Sequence, residues 1–443
     1  MDIRDLVVTP LVIIMVYAVS YLFRRRLTDE VTFRYYFPAL SLKIAGAIAL
    51  GLLYQYYYDG GDTFNFHTHG SRVIWEAFTK SPETGWRLLW SSGEYIPGAA
   101  QYASRIPFYT DPSSFFVVRT AAILDLFTFS TYSATAVLFS WFSFFGCWLM
   151  YLTFYRTMPQ AHGWLALAIL FIPSVIFWGS GILKDTLTLG ALGLLTHAAY
   201  TVLIEKKVRL GKIVLLLFSA WIIYSVKIYI LLCYLPALLL WMYASRLAMI
   251  RSAVLKIMLV PVISAGLLVS GYYAVVLIGK DDPRYSLDRI AITAQITAYD
   301  IGFYTGKDAG STYTLGELDG TFGNLISKFP QAVNVSLFRP YLWEVRNPLM
   351  LLSALESFAL FILTLGMIFK CGINFFRALK NPTVLFCLVF SITFAFAVGV
   401  STFNFGTLAR YKIPLIPFYL LALIHIYHYA NKERNKAVLD STE

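Results

Sequence analysis

The segment Tyr56-Tyr57-Tyr58-Asp59-Gly60-Gly61-Asp62-Thr63-Phe64-Asn65-Phe66-His67-Thr68-His69-Gly70 places two carboxylates, two histidines and a glycine pair directly after an apolar run. A carboxylate in a wet, partly apolar cavity can act as a general base towards a hydroxyl. Asp62 is the candidate catalytic residue. Asp59, His69 and Arg72 are candidates for substrate contact. Further along lie Lys184 and Asp185, Lys227, Arg339, Glu356, and the group Arg410, Tyr411 and Lys412. Arginines and lysines beside a carboxylate can hold a phosphate and neutralise the charge of a departing one.

Each of these residues also has a plainer reading. Asp62 or Thr63 could cap a helix, and Asp59 could be a solvated turn residue. Lys184 could snorkel with Asp185 as a cap, and Lys227 could reach the head groups. Glu356 lies inside an apolar run, where a carboxylate is a functional candidate or the partner of Lys184 or Arg410. Arg339 sits in Phe338-Arg339-Pro340-Tyr341. His67 and His69 could bind a divalent metal, but two histidines at i, i+2 do not share a helix face, so metal remains an alternative. His197 reads as a packed helix residue. Asn334-Val335-Ser336 matches an acceptor for glycosylation, a pattern of low specificity.

The elements that must position these groups are membrane helices. Of 443 residues 58% are apolar and only 14% charged, against about 25% charged in an ordinary soluble domain. Apolar runs of about 20 residues recur along the chain, each long enough to cross a bilayer as a helix. The expected fold is therefore an all-α polytopic membrane protein, a single domain over 1–443. The net charge of +11 fits short, basic cytoplasmic connections. A nucleic-acid partner is excluded by the lack of a soluble basic domain. Four scattered cysteines, Cys147, Cys233, Cys371 and Cys387, suggest neither a disulfide framework nor a zinc site. Arg24-Arg25-Arg26 follows the first apolar run, as after an uncleaved span.

In order, spans are expected over 6–23, 38–57, 130–154, 164–178, 186–204, 213–224, 228–243, 257–278, 348–369, 384–400 and 413–429. That makes about 11, with the N-terminus outside and the C-terminus inside. External segments are expected over 59–129 and 280–347. In the first, residues 62–78 read as an interfacial helix. Asp62, Asn65, His69, Arg72 and Glu76 form one polar stripe, with Phe64, Ile74, Trp75 and Phe78 largely opposite. Residues 80–112 read as ordered loop. Asp111-Pro112 supplies a cap and first residue for a second interfacial helix over 113–127, interrupted by Arg119 and Asp125. Residues 280–347 read as a structured loop long enough to carry function.

Nearly all the unusual polar residues fall on the outer side in this topology. A base and a set of cations there suit glycosyl transfer from a lipid-linked phosphate sugar, with the lipid tail between spans. The arrangement resembles the GT-C superfamily of membrane glycosyltransferases, whose catalytic acid lies in the first large external loop, followed by two juxtamembrane helices. Residues 38–154 carry the resemblance. It implies a polyprenyl-phosphate-linked sugar as donor and Asp62 as base, by position. The acceptor would be a glycan, lipid or protein at the outer face of a bacterial-type cytoplasmic membrane; no cofactor is assigned, with a divalent metal left open. Two features depart from the pattern: the additional span over 6–23, and Asp62-Thr63 where the family often has an acidic pair. Asn404-Phe405-Gly406-Thr407-Leu408-Ala409-Arg410-Tyr411 also resembles late external segments of bacterial polysaccharide polymerases, the alternative reading. A transporter of lipid-linked sugars is a third, but it would need midplane charges and usually an internal repeat.

Overall fold

In this computed structural model, residues 3–250, 288–303 and 311–440 are described, with isolated positions between 252 and 286. Among the described residues, seven helices are long and apolar enough to cross a membrane, or eight if one bent pair forms a single span. The chain is a multi-pass helical membrane protein. The span expected over 257–278 lies outside the described residues. Contacts divide the chain into two compact units, Met1–Ile228 and Tyr229–Glu443.

The first unit contains α1 (Asp5–Leu27), α2 (Phe33–Tyr56), α3 (Asp62–Phe66), a π-turn (His67–Ser71), α4 (Arg72–Lys80), α5 (Pro82–Leu89), α6 (Ala100–Ala103), α7 (Pro112–Thr128) and α8 (Tyr132–Thr157). It continues with α9 (His162–Leu170), α10 (Pro173–Trp178) and α11 (Lys184–Ala199), then the start of α12 (Leu210–Met249). Helix α8 is its centre and packs against α1, α2 and α11. Apolar side chains all round suit it to burial rather than to a lipid-facing position. The lipid-facing role falls to α1, where Leu6, Val7, Leu11 and Ile14 stay exposed. A row of bare apolar side chains on a long helix is stable only against lipid or a partner.

Glycines set how closely α8 and α11 approach. A Cβ on Gly146 would lie 2.0 Å from Gly190 O, and one on Gly193 would lie 2.2 Å from Gly146 O. Small residues let membrane helices meet backbone to backbone, where packing rather than water exclusion drives association. Gly193→Leu is expected to force these helices apart and cost about 1–3 kcal/mol. Thermal unfolding in detergent checks this, with Gly211→Leu, at an open position, as the control expected to change little.

Several expected elements come out differently. The run over 164–178 is not one helix but α9 and α10, of 9 and 6 residues. Pro173 lacks an N–H and disfavours helix at the residue before it, so the chain breaks at Phe171-Ile172. Carbonyls in and just after α10 are met from α2. Buried Lys43 donates to Val175 O at 2.9 Å, Gly179 O at 2.9 Å and Ser143 Oγ at 3.1 Å. The runs over 213–224 and 228–243 join without a loop in the 40-residue α12, which is non-helical only at Lys227 (φ −147°, ψ 77°). Residues 80–112 are not simply loop, since they contain α5 and α6.

The second unit, after the remainder of α12, contains α13 (Ile290–Ile301), α14 (Phe322–Ser327), α15 (Phe329–Phe338), α16 (Pro348–Cys371), α17 (Ile373–Arg377), α18 (Pro382–Thr402), α19 (Phe405–Tyr411) and α20 (Leu415–Asp440). Its core is aromatic. Trp241 stacks on Phe386 at 4.2 Å, and Tyr234 meets Phe386, Phe390 and Phe418 edge-on. Such offset and edge-to-face pairs add to the apolar area they bury. Helices α19 and α20 meet at 64°. The described part of the expected loop over 280–347 contains helices: α15 lies against α18, with Ser336 Oγ donating to Ala395 O at 2.7 Å.

Candidate functional site

Gly60 and Gly61 matter for their backbone. Asp59, Gly60 and Gly61 all have positive φ, at 50°, 132° and 116°. Side chains at the second and third positions would be strained, and a Cβ on Gly61 would also sit 2.9 Å from the Tyr54 ring. Asp59 is one of the few residue types that tolerate the left-handed region. The turn closes with Gly60 N donating to Tyr54 O at 2.9 Å, and helix α3 starts at Asp62.

Gly61 is the cap residue of α3, without a side-chain bond, so Asp62 and Thr63 stand at the first two helical positions rather than at the cap. The Thr63 hydroxyl instead pairs with Tyr132 OH of α8 at 2.7 Å, and Phe64 stacks on the same ring at 4.7 Å. Tyr132 thereby fastens the new helix to the membrane bundle.

Residues 62–78 do not form one uniform helix either, because His67–Ser71 is a π-turn. This changes which residues share a face. In an undistorted α-helix, eight residues advance the face by about 80° beyond full turns. Phe64 and Arg72 would then point apart. The wider turn removes most of that drift, and Phe64, Thr68 and Arg72 come into line. Together with Gln55, Asp59, Gly60, His69 and Tyr132 they line an open cleft of about 340 Å³. Arg72 Nη2 also donates to Ser130 O at 3.1 Å, which steadies the guanidinium at the cleft wall.

The cleft thus joins three of the expected residues, Asp59, His69 and Arg72. Asp62 is half-buried at the start of α3 and is not among the residues lining the cleft. Glu76, on the same predicted stripe, pairs with Arg105 at 2.8 Å. His67 and His69 diverge: His67 is fully buried, while His69 lines the cleft. No cluster of three or more His, Cys, Asp or Glu side chains able to hold a metal occurs among the described residues.

Lys184, Asp185 and Lys227 meet other partners. Asp111 caps α7 by accepting from Ser114 N, as its place before Pro112 suggested. Lys184 reaches this cap, donating to Ser113 Oγ at 2.8 Å and lying 3.4 Å from Asp111 Oδ2. Burial works to raise the Asp111 carboxyl, but the Lys184 charge and the serine donors hold it below the usual carboxylate range. Asp185, at the start of α11, takes Lys227 Nζ at 2.5 Å, with side chains 1% and 7% exposed. Neither lysine simply reaches outward to head groups. Lys227 is the non-helical residue of α12, so the ion pair sits where one helix begins and another breaks.

The remaining candidates belong to the second unit. Arg339 forms a forked pair with Glu344 and lies 5.4 Å from the Phe405 ring centre. Lys412 is buried and donates to Ser357 Oγ at 2.8 Å. Ser357 in turn donates to Arg339 O at 2.9 Å. Glu356 is half-buried and acts electrostatically on Lys412. Arg410 is half-buried, 5.8 Å from the ring of Tyr411.

Sequence reasoning missed Tyr132, Thr68, Phe64 and Gln55 as cleft residues, and Lys43 as a buried cation. Lys43 had a legible signal, a lone charge within an apolar run. Tyr132 had none, since an aromatic residue at a helix start is ordinary. No protein-family model, characterised protein or solved structure matches the chain, so the site rests on its own geometry.

Proposed function

We propose that the chain is a membrane glycosyltransferase that moves a sugar from a polyprenyl-phosphate-linked donor to a glycan, lipid or protein acceptor. It acts at the outer face of a bacterial-type cytoplasmic membrane. The observation that carries this reading is the meeting of Asp59, His69 and Arg72 in one open cleft, at the end of membrane helix α2.

Arg72 and His69 receive the donor phosphate, with the lipid tail lying along the membrane helices. The acceptor hydroxyl gives its proton to a carboxylate as its oxygen bonds to the anomeric carbon. The bond from that carbon to the phosphate oxygen breaks, and the electron pair leaves with the phosphate. Arg72 neutralises the charge that develops there. The sequence alone points to Arg410 and Lys412, joined by Lys184, for that task; here the Lys184 amine contacts Asp111, and Arg410 and Lys412 belong to the second unit. Of the two acids, Asp59 lines the cleft, so the base role is assigned to it ahead of Asp62.

A reconstituted transfer assay with radiolabelled polyprenyl-phosphate sugars tests the reading. Arg72→Ala removes a charge-assisted bond to phosphate, worth about 1.5–3 kcal/mol, and is expected to raise the donor KM by roughly ten- to 150-fold. If the unaltered protein transfers no sugar from any such donor, or if the Arg72 variant keeps its donor KM, the proposal fails.

A further inference from the structure

The π-turn that aligns the cleft is held from behind. Its first residue is His67 and its last is Ser71. Both face one carboxylate on α7. Ser71 Oγ donates to Asp125 Oδ2 at 2.6 Å, and His67 Nε2 lies 3.3 Å from Asp125 Oδ1. Thr135 Oγ1 of α8 donates to Asp125 Oδ1 at 2.7 Å, and Thr128 and Thr135 pair at 2.7 Å. His67 and Asp125 are both 0% exposed. Neither ring nitrogen of His67 makes an aligned hydrogen bond. A buried polar atom without a hydrogen bond opposes stability, so the imidazole is not explained by stability alone.

We infer that Asp125 and His67 are positioning residues. They form a latch across the two ends of the π-turn that keeps Arg72 and His69 in the cleft. A π-turn is rarer than the α-helix it interrupts and persists where surrounding structure imposes it. One buried carboxylate reaching both ends supplies that constraint from a neighbouring helix. Without it, the segment relaxes to an α-helix, and every residue beyond the turn rotates by about one position, roughly 100°. Ser71 then takes the place of Arg72, and the cation leaves the cleft wall. The functional weight of the latch rests on the reading of the cleft as a phosphate site, but its geometry does not.

The test is thiol labelling of the full-length protein in lipid nanodiscs. Single cysteines at Ser71, Arg72 and Thr68 are reacted with a small anionic methanethiosulfonate. With the latch intact, Thr68→Cys and Arg72→Cys react quickly. In the Asp125→Ala background, Arg72→Cys is expected to slow at least fivefold while Thr68→Cys holds its rate. Thr153→Val is the control. It removes a buried contact to His197 at 2.9 Å, remote from Asp125 and the turn, so it lowers stability without slowing Arg72→Cys. An effect of lost stability alone would treat the two backgrounds alike. If Asp125→Ala does not fold, His67→Phe, which keeps an aromatic ring and frees one end, is read in its place. Unchanged labelling of Arg72→Cys in a folded Asp125→Ala or His67→Phe protein overturns the latch. Because labelling reads helix register, a protein that shows the shift but transfers no sugar would lose the proposed function and keep the latch.

Discussion

Asp185→Ala is expected to destabilise the protein by about 3–5 kcal/mol, because it takes the contacting carboxylate away from a buried ammonium. The two side chains are 1% and 7% exposed and their charged atoms are 2.5 Å apart. Lys227→Ala takes the ammonium away from the buried carboxylate instead and should cost a similar amount. The informative variant is the double one. Replacing both with apolar residues of matching volume, Asp185→Leu with Lys227→Met, removes both desolvation penalties along with the attraction. Such replacements are often neutral or stabilising by about 1–4 kcal/mol. The double variant should therefore recover most of the stability that either single one loses. Thermal unfolding of the four proteins in one detergent gives the cycle directly. Additive losses would mean that the two charges do not depend on each other, against the geometry. The location adds a functional side to the cycle: a double variant that is stable yet inactive would show the pair is kept for more than stability.

Asp59→Asn is expected to lower the rate of sugar transfer by about a hundred- to ten-thousand-fold, the usual contribution of a general base. Donor binding should stay nearly unchanged. Asparagine tolerates the same left-handed backbone as aspartate, so the turn at φ 50° survives and only the proton acceptor is lost. Asp62→Asn is the companion measurement. Asp62 lies in the first turn of α3, off the cleft lining, and its replacement should have the smaller effect. The reverse ranking would return the base role to Asp62, as the resemblance to the GT-C superfamily implies. Full activity in both variants would remove general-base catalysis from this segment, and with it the proposed chemistry.

Local patterns were readable without tertiary information. Apolar runs of membrane length marked the long helices α1, α2, α8, α16 and α18 to within a few residues at most ends. Asp111-Pro112 marked the start of α7, since a capping side chain followed by proline acts over three or four residues. The polar residues after α2 marked where to look for a site, because charge at the end of a membrane helix needs a reason. Each of these signals is carried by neighbours in the chain.

The partners were decided by the fold alone. Lys227 is 42 positions from Asp185, Ser71 is 54 from Asp125, and Lys184 is 73 from Asp111. Hydropathy measures how a residue likes its solvent, and helical period measures which face it shares. Neither says which distant carboxylate an amine will reach. The π-turn is the clearest case. As a plain helix, residues 62–78 put Asp62 and Arg72 on one stripe; a carboxylate on α7, buried against both ends of the turn, coincides with a register that puts Arg72 beside Phe64 and Thr68. From the chain itself came a membrane protein with a group of polar candidates at one helix end. Which side chains meet there depended on how helices distant in the chain pack, since a single widened turn is enough to exchange one face of a helix for another.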